Sequence, residues 1–346
     1  MILIDALYLH SPGGLTLLKL LIRGLENKNA ENVFYLLDIR SKDHFTGISS
    51  GNCIFMASSI ANRKKFYVHR KDDFNCVLCF SNLPPPIRLD AMVFSLFHNI
   101  LWLQDCPQQS FISRVMSALK MSYAKHLKIN SDFWIVQTEL MQHLLSKRLS
   151  IPQSKVMVIP VFDDSISLSP VKSVKIENSF IYPATGLKHK NHRVLFGAWE
   201  MLPVEGPRPE LHLTIDSTDK PNISRINSLT SKGLKIINHG LMSHDELTEL
   251  YNNIEFLVYP SLNESFGLPL IEGIQHGCEV LVADLPYFTG TVIPAAMFDP
   301  HNTDSLKKAI VQVISGKNKS QISRIVAVNK TDTLIGLLTQ YNKIVS

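Results

Sequence analysis

The sequence predicts an α/β protein of two doubly wound domains, and three observations carry that prediction. Short apolar runs alternate with amphipathic helical stretches along nearly the whole chain, the pattern of parallel sheets wrapped by helices. The 346 residues exceed what one hydrophobic core usually supports, so two domains facing each other across a cleft are expected. With 45% hydrophobic and 19% charged residues, the chain has the make-up of packed globular domains and argues against long disordered regions.

In the first half the apolar runs place strands at 2–7, 33–37, 53–56, 76–80, 92–97, 133–138 and 156–159, with helices at 15–25, 111–127 and 140–149. Residues 163–173, rich in Ser and Asp with one Pro, read as an interdomain linker. A second series comes after it, with strands at 179–182, 211–215, 234–238, 256–259 and 279–283 and a further short unit from Asp299. Its helices fit 192–201, 243–252, 268–276 and 303–314. The expected organisation is therefore a domain over 1–165, a second over 166–325, and a C-terminal helix within 326–346 that packs back on the first.

Charge is uneven. Residues 1–165 hold 18 Lys/Arg against 13 Asp/Glu, whereas 166–346 hold 17 of each, so the net charge of +5 sits entirely in the first half. No acidic residue lies between Cys106 and Ser131, while Arg114, Lys120, Lys125 and Lys128 punctuate an apolar stretch. That pattern suits a basic amphipathic helix against anionic lipid or a phosphorylated lipid acceptor, and equally an ordinary solvated helix face. Nothing in the chain points to nucleic acid.

The N-terminus lacks the basic start and cleavage site of a signal peptide, and there is no run of about 18 apolar residues, so a cytoplasmic location is expected. Five scattered cysteines argue against a disulfide framework. Cys76 and Cys79 form a C-x-x-C, but Cys76-Val-Leu-Cys79-Phe reads as a buried strand, with both thiols acting as small hydrophobes, ahead of zinc or redox chemistry.

The segment with most chemical content runs from Tyr259 to Gly277. A strand ends at Tyr259, a loop carries Glu264, Ser265, Phe266 and Gly267, and a helix begins near Leu268 with Pro269 in its first turn. The backbone N–H groups of Phe266, Gly267 and Leu268 at that helix start suit a diphosphate. Glu264 and Glu272, eight residues apart, can accept hydrogen bonds from hydroxyls of different parts of one ligand.

This segment resembles the E-x7-E region of retaining glycosyltransferases of the GT-B fold, family 4 type (glycosyl transferases group 1), and the order of surrounding segments agrees along almost the whole chain. The resemblance implies two Rossmann-like domains, with Glu272 on the nucleotide ribose, Glu264 on the donor sugar, and the amides of Phe266 to Leu268 on the phosphates. A second block, Phe180 to His192, is similar to the family's basic loop, which assigns Lys190 to the departing diphosphate. Relatives carry an arginine a few residues earlier, where this chain has Thr185 and Gly186 and only Lys188 as a substitute. Gly13 and Gly14, after the first strand, resemble the family's glycine loop under the donor phosphate. His98, at the end of another strand, corresponds to a histidine near the transferred sugar, although a lone histidine is more often structural. Gln137, Thr138 and Glu139 are weaker candidates for the same cleft.

The resemblance implies sugar transfer, with retention, from a UDP- or GDP-linked donor to an acceptor hydroxyl on a carbohydrate or lipid-linked chain, in surface polysaccharide assembly. Front-face attack would use the leaving diphosphate as base, with no cofactor and no metal; the sequence has no Asp-x-Asp clamp. A sugar-nucleotide epimerase, or an inactive lipid- or partner-binding module of the same fold, remains the alternative. A phosphorylase would need a lysine placed for pyridoxal phosphate, for which the sequence gives no support.

Overall fold

The computed structural model describes residues 1–48, 50–104, 111–164, 174–202, 208–316 and 321–343. Most of the expected linker, together with Cys106, lies outside the described residues. The chain divides into two compact units: one holds the described residues up to Asp164 and those from Val328 onward, the other those from 174 to Ala327.

The first unit is built on β1 (Ile2–Ala6), β2 (Val33–Asp38), β3 (Cys53–Met56), β4 (Cys76–Cys79), β5 (Met92–Leu96), β6 (Phe133–Val136) and β7 (Val156–Val158). All neighbours pair in parallel, in the order β3-β2-β1-β4-β5-β6-β7. Parallel neighbours need crossovers, and α1 (Pro12–Asn27), α2 (Ile60–Arg70), α3 (Phe111–Leu127) and α4 (Glu139–Leu149) supply most of them. Helices on both faces explain why β1, β2 and β4 are buried along their full length. Cys76 and Cys79 sit three apart on β4, hence on opposite faces of the sheet, and burial pushes both thiols up to about 12.

The second unit contains β8 (Ile176–Tyr182), β9 (Glu210–Leu213), β10 (Ile236–Asn238), β11 (Ile254–Tyr259), β12 (Glu279–Ala283), β13 (Val292–Ile293), β14 (Ala296–Phe298) and β15 (Arg324–Ile325). Six of these form a parallel sheet in the order β10-β9-β8-β11-β12-β14, while β13 and β15 pair antiparallel apart from it. The helices are α5 (His192–Glu200), α6 (Lys220–Ser231), α7 (His244–Asn253), α8 (Leu268–Gln275) and α9 (Thr303–Ile314).

The chain then returns to the first unit through α10 (Thr331–Lys343), which packs on α1, β1 and β4. Leu334, Ile335 and Leu338 are buried there. The approach to α1 is close: a Cβ on Gly24 would stand 2.4 Å from Ile335 Cδ1, so only glycine fits without repacking.

Both large sheets reverse their winding once, beside β1 and β4 in the first and beside β8 and β11 in the second. In open α/β sheets ligands bind outside the carboxyl ends of the strands at such switch points. Three sequence expectations are corrected. Residues 133–138 are strand only to Val136, because Thr138 turns to cap α4, accepting from Met141 N–H at 3.2 Å. The helix expected from Leu15 starts at Pro12, which suits the first helical turn, so Gly13 and Gly14 lie within α1 and not in a turn before it. Finally, α2 and α6 were not expected, since Arg63-Lys64-Lys65 and Lys220-Pro221 obscure their apolar periodicity.

Candidate functional site

At the switch point of the second unit, the loop after β8 winds into a 3-10 turn over Lys188–Lys190 and reaches Asn191, which takes a left-handed conformation (φ 58°). Its side-chain amide donates to the carbonyls of Pro260, at 3.2 Å, and Pro300, at 2.8 Å, tying this loop to those after β11 and β14. Tyr182 hydroxyl donates to the Lys190 carbonyl at 2.8 Å, and Leu262 N–H donates to the His189 carbonyl at 2.8 Å. Two loops far apart in sequence are thereby held side by side through hydrogen bonds to their backbone.

Held this way, Lys190 Nζ donates to Glu264 Oε1 at 2.5 Å, and Ser261 Oγ donates to the same oxygen at 2.6 Å. The two charged side chains are only 18% and 14% exposed. Burial pushes the Glu264 carboxyl upward, but the Lys190 charge and the hydrogen bonds from Lys190 and Ser261 outweigh it and hold the group below the usual carboxylate range. Around it stand Tyr182, Tyr259 and Tyr287, whose phenols burial raises well above their ordinary value. His189 and His192 are pushed down to about 4, chiefly by burial and then by the Lys190 charge, so both are neutral at pH 7.

The loop after β11 ends at Gly267, which caps α8 at φ 80°, a conformation that any side chain would strain. No side chain caps this helix, and Pro269 occupies its first turn. Such a start presents backbone N–H groups with the positive end of the helix dipole. Phe266 is buried, and its carbonyl accepts from Thr291 Oγ1 at 3.2 Å. Ser265 and Leu268 are half-buried. Glu272, on α8, accepts from Tyr251 hydroxyl at 3.4 Å. Burial holds Glu272 above the usual carboxylate range, and neither His244 nor Tyr251 cancels that effect. It is a carboxylate in need of further donors.

Of the sequence candidates in this unit, Lys190, Glu264, Ser265, Phe266, Gly267, Leu268 and Glu272 fall on the two loops and the helix start at the switch point, whereas Lys188 is exposed to solvent. Ser261, Asn191, Tyr182 and Tyr251 were missed: Asn191 and Tyr251 act through contacts distant in sequence, while Ser261 and Tyr182 meet Glu264 and the Lys190 carbonyl within a few residues, in contacts that no motif announces.

In the first unit, a cavity of about 600 Å³ opens at the corresponding switch point. Tyr8, Leu83 and Trp102 give it apolar walls, and His98, Asn82 and Lys120 its polar groups. Asn82 Oδ1 accepts from the N–H groups of His98, at 2.7 Å, and Asn99, at 3.1 Å, and its Nδ2 meets His98 Nε2 at 3.5 Å. With Nε2 accepting, neutral His98 carries its proton on Nδ1, which is shielded and has no partner among the described residues. Burial pushes His98 down to about 4. Gly13 has open space where a Cβ would stand, while a Cβ on Gly14 would strike Leu9 Cδ1 at 2.5 Å. Gln137 and Thr138 have structural tasks instead: Gln137 donates to the Val161 carbonyl at 3.0 Å, and Thr138 caps α4.

Two Rossmann-like sheets with these windings define a chain of the GT-B class of glycosyltransferase folds. Its likeness to solved structures agrees: a glycosyltransferase from Rickettsia africae superposes with a TM-score of 0.71 at 14% identity, covering 99% of this chain and 98% of the other. Anabaena Alr3699/HepE in complex with UDP-glucose gives 0.68 at 13% identity, covering 99% and 97%. Residues 169–325 match the family Glycosyl transferases group 1. The chain is similar to the serotype-specific mannosyltransferase WbdA of Escherichia coli, 30% identical over 133 residues, which are 36% of this chain and 16% of WbdA. The chain thus matches about a sixth of that relative's length.

Proposed function

We propose that the protein is a retaining glycosyltransferase that moves a sugar from a nucleoside diphosphate donor, UDP- or GDP-linked, to a carbohydrate hydroxyl during surface polysaccharide assembly. The observation that carries this reading is the buried Lys190–Glu264 pair beside the uncapped start of α8, inside the segment that matches the family. Lys190 and the α8 amides supply positive charge where a diphosphate leaves, in a shielded site where such charge acts strongly. Glu264, kept ionised, accepts from sugar hydroxyls. Glu272, which burial disfavours as an anion, gains from ribose hydroxyl donors. The leaving diphosphate takes the proton of the attacking hydroxyl. The mannosyltransferase relative and the UDP-glucose complex of the structural neighbour support the substrate class.

The test is an incubation with α-linked UDP- and GDP-sugars and short polysaccharide acceptors, with the product examined by NMR. An α-linked product is expected; a β-linked product, or turnover that only isomerises the donor, would overturn the reading.

A further inference from the structure

The cavity of the first unit carries positive charge that the donor chemistry does not use. Among the described residues that line it there is no Asp or Glu, while Arg40 and Lys120 both stand on its lining. Arg40 is fixed in place. Its Nε and Nη2 donate to the two oxygens of Asp38, at 2.8 and 2.7 Å, and its backbone N–H donates to Asp38 Oδ1 at 3.0 Å. Nη2 also donates to Ser58 Oγ at 3.2 Å. Asp38 is fully buried, so this fork holds the guanidinium from behind while half of the Arg40 side chain stays exposed. Among the described residues Nη1 meets His10 Nε2 alone, at 3.4 Å, which leaves a guanidinium N–H for a ligand. His10 is oriented in turn by the Tyr8 carbonyl, 3.2 Å from its Nδ1.

Lys120 lies over the Trp102 ring, 5.8 Å from its centroid, and forms no ion pair among the described residues. Beside the two cations the lining offers aromatic groups, Tyr8, Trp102 and Tyr123, and short neutral hydrogen-bonding groups, Ser81 and Asn82. His98 adds a buried Nδ1 with no partner among the described residues, an unmet donor at the cavity wall. A pyranose ring has an apolar C–H face for aromatic walls and a rim of hydroxyls for neutral polar groups, and a cavity of about 600 Å³ has the size of a small-ligand pocket. The cations then select a sugar that is itself charged. We propose that this cavity binds an anionic glycan, one bearing a phosphate or a carboxylate, with Arg40 and Lys120 on the anion and the aromatic walls on the sugar ring. That the ligand is a glycan rests on the glycosyltransferase reading; that it is an anion rests on the cavity alone.

Tryptophan fluorescence of the full chain, titrated with glucose 6-phosphate, glucuronate, glucose and inorganic phosphate, tests it. Trp134 and Trp199 are buried, so Trp102 should carry the response and Trp102→Phe should remove it. At least one charged sugar is expected to bind about tenfold more tightly than glucose, and which one does so names the anion. Inorganic phosphate should bind more weakly than the sugar phosphate. Lys120→Gln and Arg40→Gln should each weaken the charged sugar about tenfold and leave glucose unaffected, the loss expected for one charge-assisted hydrogen bond. Lys120 is exposed, so its variant should melt like wild type even where loss of Arg40, which uncovers Asp38, lowers stability. Lys190→Ala should leave this binding intact. The inference would be overturned by glucose binding as tightly as both charged sugars, by phosphate alone matching the sugar phosphate, by indifference to Lys120→Gln, by loss in Lys190→Ala, or by no binding of either charged sugar to folded wild type. Failure of UDP and GDP to bind while the anion preference holds would overturn the donor reading alone.

Discussion

The two units wind their sheets alike and use the switch point differently. In the first, the crevice beside β1 and β4 is an apolar-walled cavity of about 600 Å³ with a neutral histidine at its edge. In the second, the crevice beside β8 and β11 holds a buried ion pair, a second carboxylate and a helix start. The fold supplies the place, and the loop residues decide what it can bind. The first cavity has Arg40 and Lys120 on its lining beside apolar walls, whereas the second site carries a buried cation next to an uncapped helix start, an arrangement that suits a polyanion.

The largest effect that can break this contrast is expected at the ion pair. Lys190→Ala leaves a buried carboxylate without its cation and should cost about 3 kcal/mol in chemical denaturation, because an uncompensated buried charge is the expensive state. Lys190→Met combined with Glu264→Leu should recover much of that loss while still failing to bind a donor, which would separate stability from function. Next is Asn191→Ala, which removes two hydrogen bonds between loops and strains a left-handed position; a loss of about 2 kcal/mol is expected. Asn191→Gly should restore only the conformational part. In the first unit, Asn82→Ala should cost about 1 kcal/mol and mainly disorder His98, visible as an altered imidazole NMR shift.

Apart from these substitutions stands the response to acid. His98, His189 and His192 are held near 4 in the native state against an ordinary 6.5. Between those values the unfolded chain binds protons that the native state refuses, so stability is full above about 6.5 and falls with pH toward 4. The depressed Glu264 acts in the same direction lower down, its contribution being lost as pH falls through its native value. Two of these histidines and Glu264 belong to the second unit, whose unfolding should therefore be the more acid-sensitive. Denaturant titrations at pH 5 and 7 check this, and His192→Phe should flatten the slope.

Much of this was legible in the sequence. The alternation of apolar runs located twelve of the strands, because parallel strands buried on both faces read as continuous hydrophobic segments. Short β13, β14 and β15 escaped because two or three residues carry no period. On the site side, Lys190, Glu264 and Glu272 stand on recognisable motifs, yet sequence left open whether Lys188 adds a second cation beside Lys190: of the two lysines on one 3-10 turn, Lys188 is exposed and Lys190 meets Glu264. The partners that fix them, Asn191 and Ser261 among them, depend on contacts between loops about 70 residues apart.

Titration calorimetry with UDP, GDP, ADP and CMP tests most directly whether the loops at the second unit's switch point bind a nucleoside diphosphate. Selective binding of one diphosphate, lost in both Lys190→Ala and Glu272→Ala proteins that still fold, is the predicted result. Binding that survives both substitutions, or none by folded wild type to any of the four, would contradict it.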